Sequence, residues 1–242
     1  MTRALQLLCY LLHLSAVSTT DARKVSIPQP RIIGGTNADK GRYPYMVSLV
    51  NSFTRAHKCG GVLVAKDMVL TAAHCVGKMD LAQVGRYNRL DVNETYDELS
   101  ILKEYPHPLY LDAFSNYDFM LLKLDGSSNN NLVRLNKDKL DSDNSPILTA
   151  IGFGVTDPDN YDAADILQEA KLNYMSNEIC ELSSDGENSY DGYLNNNMMC
   201  ASAEERDTCY GDSGGPLLIR HEENPEESEI DFVVGITSWG FD

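Results

Sequence analysis

Gly211-Asp212-Ser213-Gly214-Gly215-Pro216 is the stretch on which the reading of this 242-residue chain turns. Glycines on both sides of a lone serine let the backbone turn tightly and leave the hydroxyl exposed. They also let the N–H groups of Gly211 and Ser213 point into one small space. A serine hydroxyl is inert until a base takes its proton, so the turn demands a histidine elsewhere.

Thr71-Ala72-Ala73-His74-Cys75 supplies one. Of the other histidines, His13 lies in an apolar leader, while His57, His107 and His221 sit in polar or proline-flanked surroundings expected of surface residues. His74 follows an apolar run and precedes a cysteine able to pin its loop. The base needs a carboxylate to hold its tautomer. Asp118, at the mouth of the apolar run 119–124, is the candidate.

Around these words the chain has a steady rhythm. Short apolar runs at 45–50, 61–65, 68–71, 119–124, 146–153 and 232–238, several rich in Val and Ile, are divided by Gly, Asn, Asp and Pro. Such punctuation is expected of an all-β barrel or sandwich. Helical periodicity is weak: 177–181 reads as a short turn, and 162–168 is ambiguous. The Ser/Asn-rich stretch 125–136 reads as a connection between two halves, and the glutamate-rich 221–229 as a solvated hairpin loop.

Composition narrows the classes. A net charge of −16 leaves no basic surface to meet phosphates, so nucleic acid is not expected as a partner. An acidic surface weakly favours cationic substrates. Arg3 and the apolar stretch 4–17, ending in Ala16-Val17-Ser18, fit a signal peptide cleaved after Ser18. It is too short to span a bilayer, which takes about 20 apolar residues, and no later segment comes close. The expected product is secreted and extracellular, matured where disulfides persist. Residues 21–31, with Pro28 and Pro30, read as an exposed linker. Removal of Cys9 with the leader leaves Cys59, Cys75, Cys180, Cys200 and Cys209, an odd number. No Cys-x-x-Cys or paired Cys/His spacing suggests a metal.

Taken together with Ile32-Ile33-Gly34-Gly35, Tyr43-Pro44-Tyr45-Met46-Val47-Ser48-Leu49, Cys59-Gly60-Gly61, Leu167-Gln168-Glu169-Ala170 and Ser238-Trp239-Gly240, these motifs give a chain that resembles the trypsin/chymotrypsin-like serine peptidases. The order histidine, aspartate, serine is that of this family and not of subtilisins or α/β-hydrolases. A descendant kept only for binding is expected to have lost one of the three, and none is lost. The resemblance implies an all-β fold of two six-stranded antiparallel barrels over residues 32–242, with the site in the cleft between them. The first barrel is expected to bring His74 and Asp118, and the second Ser213. It further implies His74 as general base, Asp118 as its orienting carboxylate, Ser213 as nucleophile, and the N–H groups of Gly211 and Ser213 as the oxyanion hole. Ser238 is expected to support Asp118, and the backbone of Ser238, Trp239 and Gly240 to pair with an extended substrate. Asp207, six positions before Ser213, falls where relatives place the base of the primary pocket, which implies cleavage after Arg or Lys.

By the same resemblance, residues 19–31 are an activation propeptide, cut between Arg31 and Ile32 so that the new Ile32 amine pairs with Asp212. Bridges are expected at Cys59–Cys75 and Cys180–Cys200. Protein or peptide substrates, an activating tryptic protease and protein inhibitors are the expected partners; no cofactor, metal or membrane is expected. Arg86 replaces the first carboxylate of the calcium loop found in some relatives, so no calcium site is expected. Leu148 and Ile219 stand where many relatives have a cysteine pair, and Phe153 where a tryptophan is usual. Asn93-Glu94-Thr95 is a glycosylation sequon and a weak surface marker. Relatives continue past Ser-Trp-Gly with the partner of Cys209, a second pocket wall, a closing strand and a helix. The chain as given ends at Asp242, and with that segment absent it is expected to be a poor enzyme with a free Cys209.

Overall fold

The structure, a computed structural model, describes residues 35–111, 116–140, 146–157, 160–183, 189–202, 212–221 and 230–240. In chain order its strands are β1 (Thr36–Asn37), β2 (Met46–Val50), β3 (His57–Ala65), β4 (Met68–Thr71), β5 (Leu81–Val84), β6 (Asp97–Pro106), β7 (Met120–Leu124), β8 (Arg134–Leu135), β9 (Ile147–Gly152), β10 (Val155–Asp157), β11 (Asn160–Ala163), β12 (Gln168–Met175), β13 (Cys200–Ser202), β14 (Pro216–His221) and β15 (Ile230–Ile236). A 3-10 turn at Ala73–Cys75 and one short helix, α1 (Asn177–Glu181), interrupt them. No helix among the described residues is long and apolar enough to cross a membrane.

The first half is a closed barrel in the order β2-β3-β4-β7-β6-β5. Its closure follows from side-chain alternation. In β7, Met120, Leu122 and Leu124 are buried while Leu121 is exposed and Lys123 half-buried, the period of two that a strand covered on one face requires. β2 differs in being buried at all five positions, because it lies where the two halves meet. The main core runs across that junction, packing Met46, Leu49, Val62 and Leu63 together with Ile151, Phe153 and Leu218.

The second half is a sheet ordered β1-β12-β9-β14-β15-β8, with β13 added to β12. Among the described residues no pairing joins β13 to β15. Its own core is Leu148, Ala150, Leu172 and Leu217, with Ile219 packed against them. Leu218 pairs with Thr149 across β14 and β9, so Ile219 and Leu148 fall opposite each other at the next step of the register. Apolar packing thus joins the two positions at which relatives were expected to carry a disulfide.

Several expectations gain detail. Segment 162–168 is not helical: β11 takes its start, and β12 begins at Gln168. The connection 125–136 holds β8, which pairs in parallel with β15. α1 is capped by Ser176, whose hydroxyl accepts from the Ile179 N–H at 3.4 Å. β14 and β15 pair as far as His221 and Ile230, while the loop 222–229 between them lies outside the described residues.

One expectation needs correction. His57, read as a surface residue, is only 9% exposed. Its Nδ1 lies 2.8 Å from Ser48 Oγ on the paired strand β2, and its ring meets the edge of Phe153 at 5.6 Å. The polar neighbours in sequence gave no hint of a strand partner that satisfies the ring.

Candidate active site

Strand register explains why His74 meets Asp118. β4 and β7 run antiparallel with Thr71 opposite Met120, so the chain leaving β4 and the chain entering β7 continue side by side. The 3-10 turn after β4 carries His74, and Asp118 lies just before β7. The Asp118 carboxylate grips the histidine twice: Oδ1 accepts the His74 backbone N–H at 2.8 Å, and Oδ2 lies 2.7 Å from Nδ1. Ser238 Oγ, arriving from the end of β15, donates to the same Oδ2 at 2.5 Å. Burial works against the charge on Asp118, but the hydrogen bonds from His74 and Ser238 outweigh it and hold its pKa below the usual carboxylate value. With Nδ1 bonded to a carboxylate, Nε2 of His74 is the nitrogen left to act as a base.

Ser213 reaches the site on a turn fastened to both halves. Gly60 N, beside Cys59 in β3, donates to Ser213 O at 2.8 Å. Gly214 N donates to Thr237 O at 2.8 Å, and Thr237 N donates back to Gly215 O at 2.9 Å. Gly214 adopts φ +78°, and a Cβ there would stand 2.7 Å from Gly60 O and 2.9 Å from Ala72 N, so only glycine fits. Among the described contacts no hydrogen bond joins Ser213 Oγ to His74; the carbonyl tie through Gly60 brings the serine turn to the histidine's half of the molecule.

Disulfides frame these parts. Cys59 is joined to Cys75, next to His74, and Cys180 of α1 is joined to Cys200 of β13. Cys59, His74 and Cys75 come close enough together to suggest a metal, but two of the three are spent on the bridge. Asp212, next to Ser213, is 2% exposed, and its Oδ1 accepts from Gly154 N at 2.9 Å. The Arg86 guanidinium donates to Arg89 O at 2.6 Å and Gln83 Oε1 at 2.8 Å, bringing its own charge into the loop after β5. Asn93 is exposed in that same loop.

The structure also supplies groups that the sequence reading missed. Trp239 is flanked by Tyr190 at 5.7 Å and by the edge of Tyr193 at 6.3 Å, so the wall beside residues 238–240 is aromatic. Asn197 Nδ2 donates to Asn116 Oδ1 at 2.8 Å, tying that loop to the approach of Asp118. Nothing local in sequence marks these contacts. Depressions of about 340 Å³ beside Lys40 and Tyr87 and about 450 Å³ beside Arg134 and Phe232 lie away from His74. Residues 1–18, Arg31, Ile32, Asp207, Cys209 and Gly211 lie outside the described residues.

Comparison with known proteins agrees with this architecture. The family model described as Trypsin matches residues 32–242. Kallikrein-2 of Homo sapiens is 31% identical over 93% of this chain and 85% of its own length. Chymase of Canis lupus familiaris is 33% identical over 77% of this chain and 75% of its own length. Coagulation factor XI of Bos taurus is 31% identical over 96% of this chain, which spans only 36% of that longer protein.

Proposed function

Because this chain belongs to the trypsin family of serine endopeptidases, we propose that it hydrolyses proteins and peptides after arginine or lysine, with His74, Asp118 and Ser213 as its catalytic triad. The observation that carries the reading is the double grip of Asp118 on His74, at 2.8 and 2.7 Å, reinforced by Ser238. A histidine so held keeps one tautomer and presents Nε2 to the serine turn.

In this reading His74 takes the Ser213 proton as Oγ bonds to the scissile carbonyl carbon. The carbonyl oxygen becomes an oxyanion, received by the N–H groups of Gly211 and Ser213. Collapse breaks the C–N bond, and His74 hands its proton to the leaving amine. Water then attacks the acyl-enzyme with His74 again as base, and Ser213 is regenerated. Asp118 stays ionised throughout, consistent with its lowered pKa. Asp207 pairs with the side chain of the arginine or lysine, and the backbone of Ser238, Trp239 and Gly240 adds the substrate as a strand.

The enzyme is made as a secreted zymogen with a signal peptide at 1–18 and a propeptide at 19–31. Cleavage after Arg31 frees the Ile32 amine to pair with Asp212. The burial of Asp212 supports this, because a carboxylate so enclosed is stabilised by an arriving cation. Asn93 carries a glycan in the same reading, its exposed loop position being what an acceptor needs.

The test is direct. The protein is activated with trypsin, its new terminus is sequenced, and turnover of matched Arg, Lys and Phe fluorogenic peptides is measured. Ser213→Ala should lower kcat by about 10⁴-fold or more, and Asp207→Ser should reduce the preference for Arg over Phe by orders of magnitude. Near wild-type turnover in the first variant sinks the nucleophile. A wild-type preference for Phe sinks the specificity, and active material without an Ile32 terminus sinks the activation step.

A further inference from the structure

Asp118 can grip His74 at two points only if its backbone is held in place, yet the residue before it is strained. Tyr117 has φ +54°, and the described residues hold only one other non-glycine at positive φ, Arg55. A side chain in that region crowds the following carbonyl, so neighbouring contacts must hold it there.

They are supplied by His107. The rings of Tyr117 and His107 stack, with centroids 4.4 Å apart and planes within 11°. Phe119 meets the same imidazole at 4.8 Å. His107 is itself fixed: its N–H donates to Phe119 O at 3.0 Å, and its Nδ1 accepts from Leu109 N at 3.2 Å. The register explains the grouping, since Pro106 pairs with Met120 and His107 therefore falls opposite Phe119. Tyr117 and Phe119 both bring their rings to His107, while Asp118 between them turns to His74. Further bonds fix the bend, from Tyr117 N to Asn116 Oδ1 at 2.9 Å and from Phe119 N to Tyr117 O at 2.7 Å.

We propose that His107 is a positioning residue for the reaction: its ring, clasped by Tyr117 and Phe119, holds the strained backbone that aims Asp118 at His74. The inference rests on the reading of His74 and Asp118 as a catalytic pair. It is tested by replacing His107 with leucine, of similar size but unable to stack, and with phenylalanine, which stacks. Small misplacements of a catalytic group cost up to about 100-fold in rate. His107→Leu should therefore lower kcat about 10- to 100-fold with KM changed less than about threefold, and His107→Phe should recover most of the loss. Tyr117→Leu should behave as His107→Leu does. Tyr117→Gly, for which positive φ carries no strain, should retain more activity than Tyr117→Leu.

A second readout needs no turnover. The far-downfield NMR proton between His74 Nδ1 and Asp118 should move in His107→Leu and return in His107→Phe. Because it can be read in the uncut chain, an inactive wild type would overturn the proposed function and leave this test standing. A kcat within twofold of wild type in His107→Leu, with an unmoved resonance, overturns the proposal. Equal losses in the Leu and Phe variants do the same. Should His107→Leu fail to fold, a Tyr117→Gly variant no better than Tyr117→Leu overturns it.

Discussion

Asp231 in β15 is the group whose removal should cost this fold most for its size. Its carboxylate takes two bonds from the Arg42 guanidinium, at 2.5 and 2.7 Å, and a third from the Tyr45 hydroxyl. The side chains of Arg42 and Asp231 are 18% and 4% exposed, so water can replace little of what is lost. Burial opposes the charge on Arg42, but Asp231 outweighs it and keeps the guanidinium charged. Burial, and then the bond to Asp231, hold the Tyr45 hydroxyl protonated well above its usual range. Breaking one side of a buried ion pair costs about 3–5 kcal/mol, because the remaining charge stays uncompensated. The partial exposure of Arg42 places Asp231→Ala near the lower end, about 3 kcal/mol. Tyr45→Phe removes a single hydrogen bond to a charged group and should cost about 1.5–3 kcal/mol. Replacing both ions together, Arg42→Met with Asp231→Leu, should return most of the stability, since packed apolar groups of similar volume often match a buried pair. Urea unfolding with the disulfides intact provides the assay. An Asp231→Ala loss below about 1 kcal/mol, or a double variant no better than the single one, would show that the pair is solvated and the reasoning wrong.

Two further outcomes follow from the serine turn and the carboxylate. Gly214→Ala combines a left-handed backbone with a Cβ 2.7 Å from Gly60 O, so it should destabilise by about 3 kcal/mol and displace Ser213; thermal unfolding and turnover that match wild type would refute this. Ser238→Ala removes one of the bonds that lower the Asp118 pKa. A carboxylate with a depressed folded pKa contributes stability above its unfolded pKa of about 3.9 and loses it as pH falls through the folded value. The variant should therefore begin acid unfolding at a higher pH than wild type, as followed by near-UV circular dichroism, and an unchanged midpoint counts against the Ser238 role.

Parts of the candidate site were legible in sequence where short words carried them. His74 after a buried run and Asp118 before another could be named locally, and the register of Thr71 with Met120 accounts for their meeting. The rhythm of apolar runs left barrel and sandwich both open; closure of β2 to β5 depends on pairings that no local window contains. The same holds for Arg42 with Asp231, 189 positions apart. It holds also for the tyrosines against Trp239 and for the burial of His57, which depends on Ser48 of a neighbouring strand. The backbone of Tyr117 is illegible for another reason: tyrosine has no preference for positive φ, and tertiary contacts impose it.

The bond from Gly60 to the Ser213 carbonyl bears on how such a protein is assembled. The first barrel carries His74 and Asp118, but the serine they would activate in the proposed mechanism arrives on the other half. A second sheet folded alone offers a serine without a base. In the proposed mechanism hydrolysis therefore requires the two halves to be docked as well as the chain to be cut after Arg31. The seam between the halves is in this sense the last part of the proposed catalyst to be assembled.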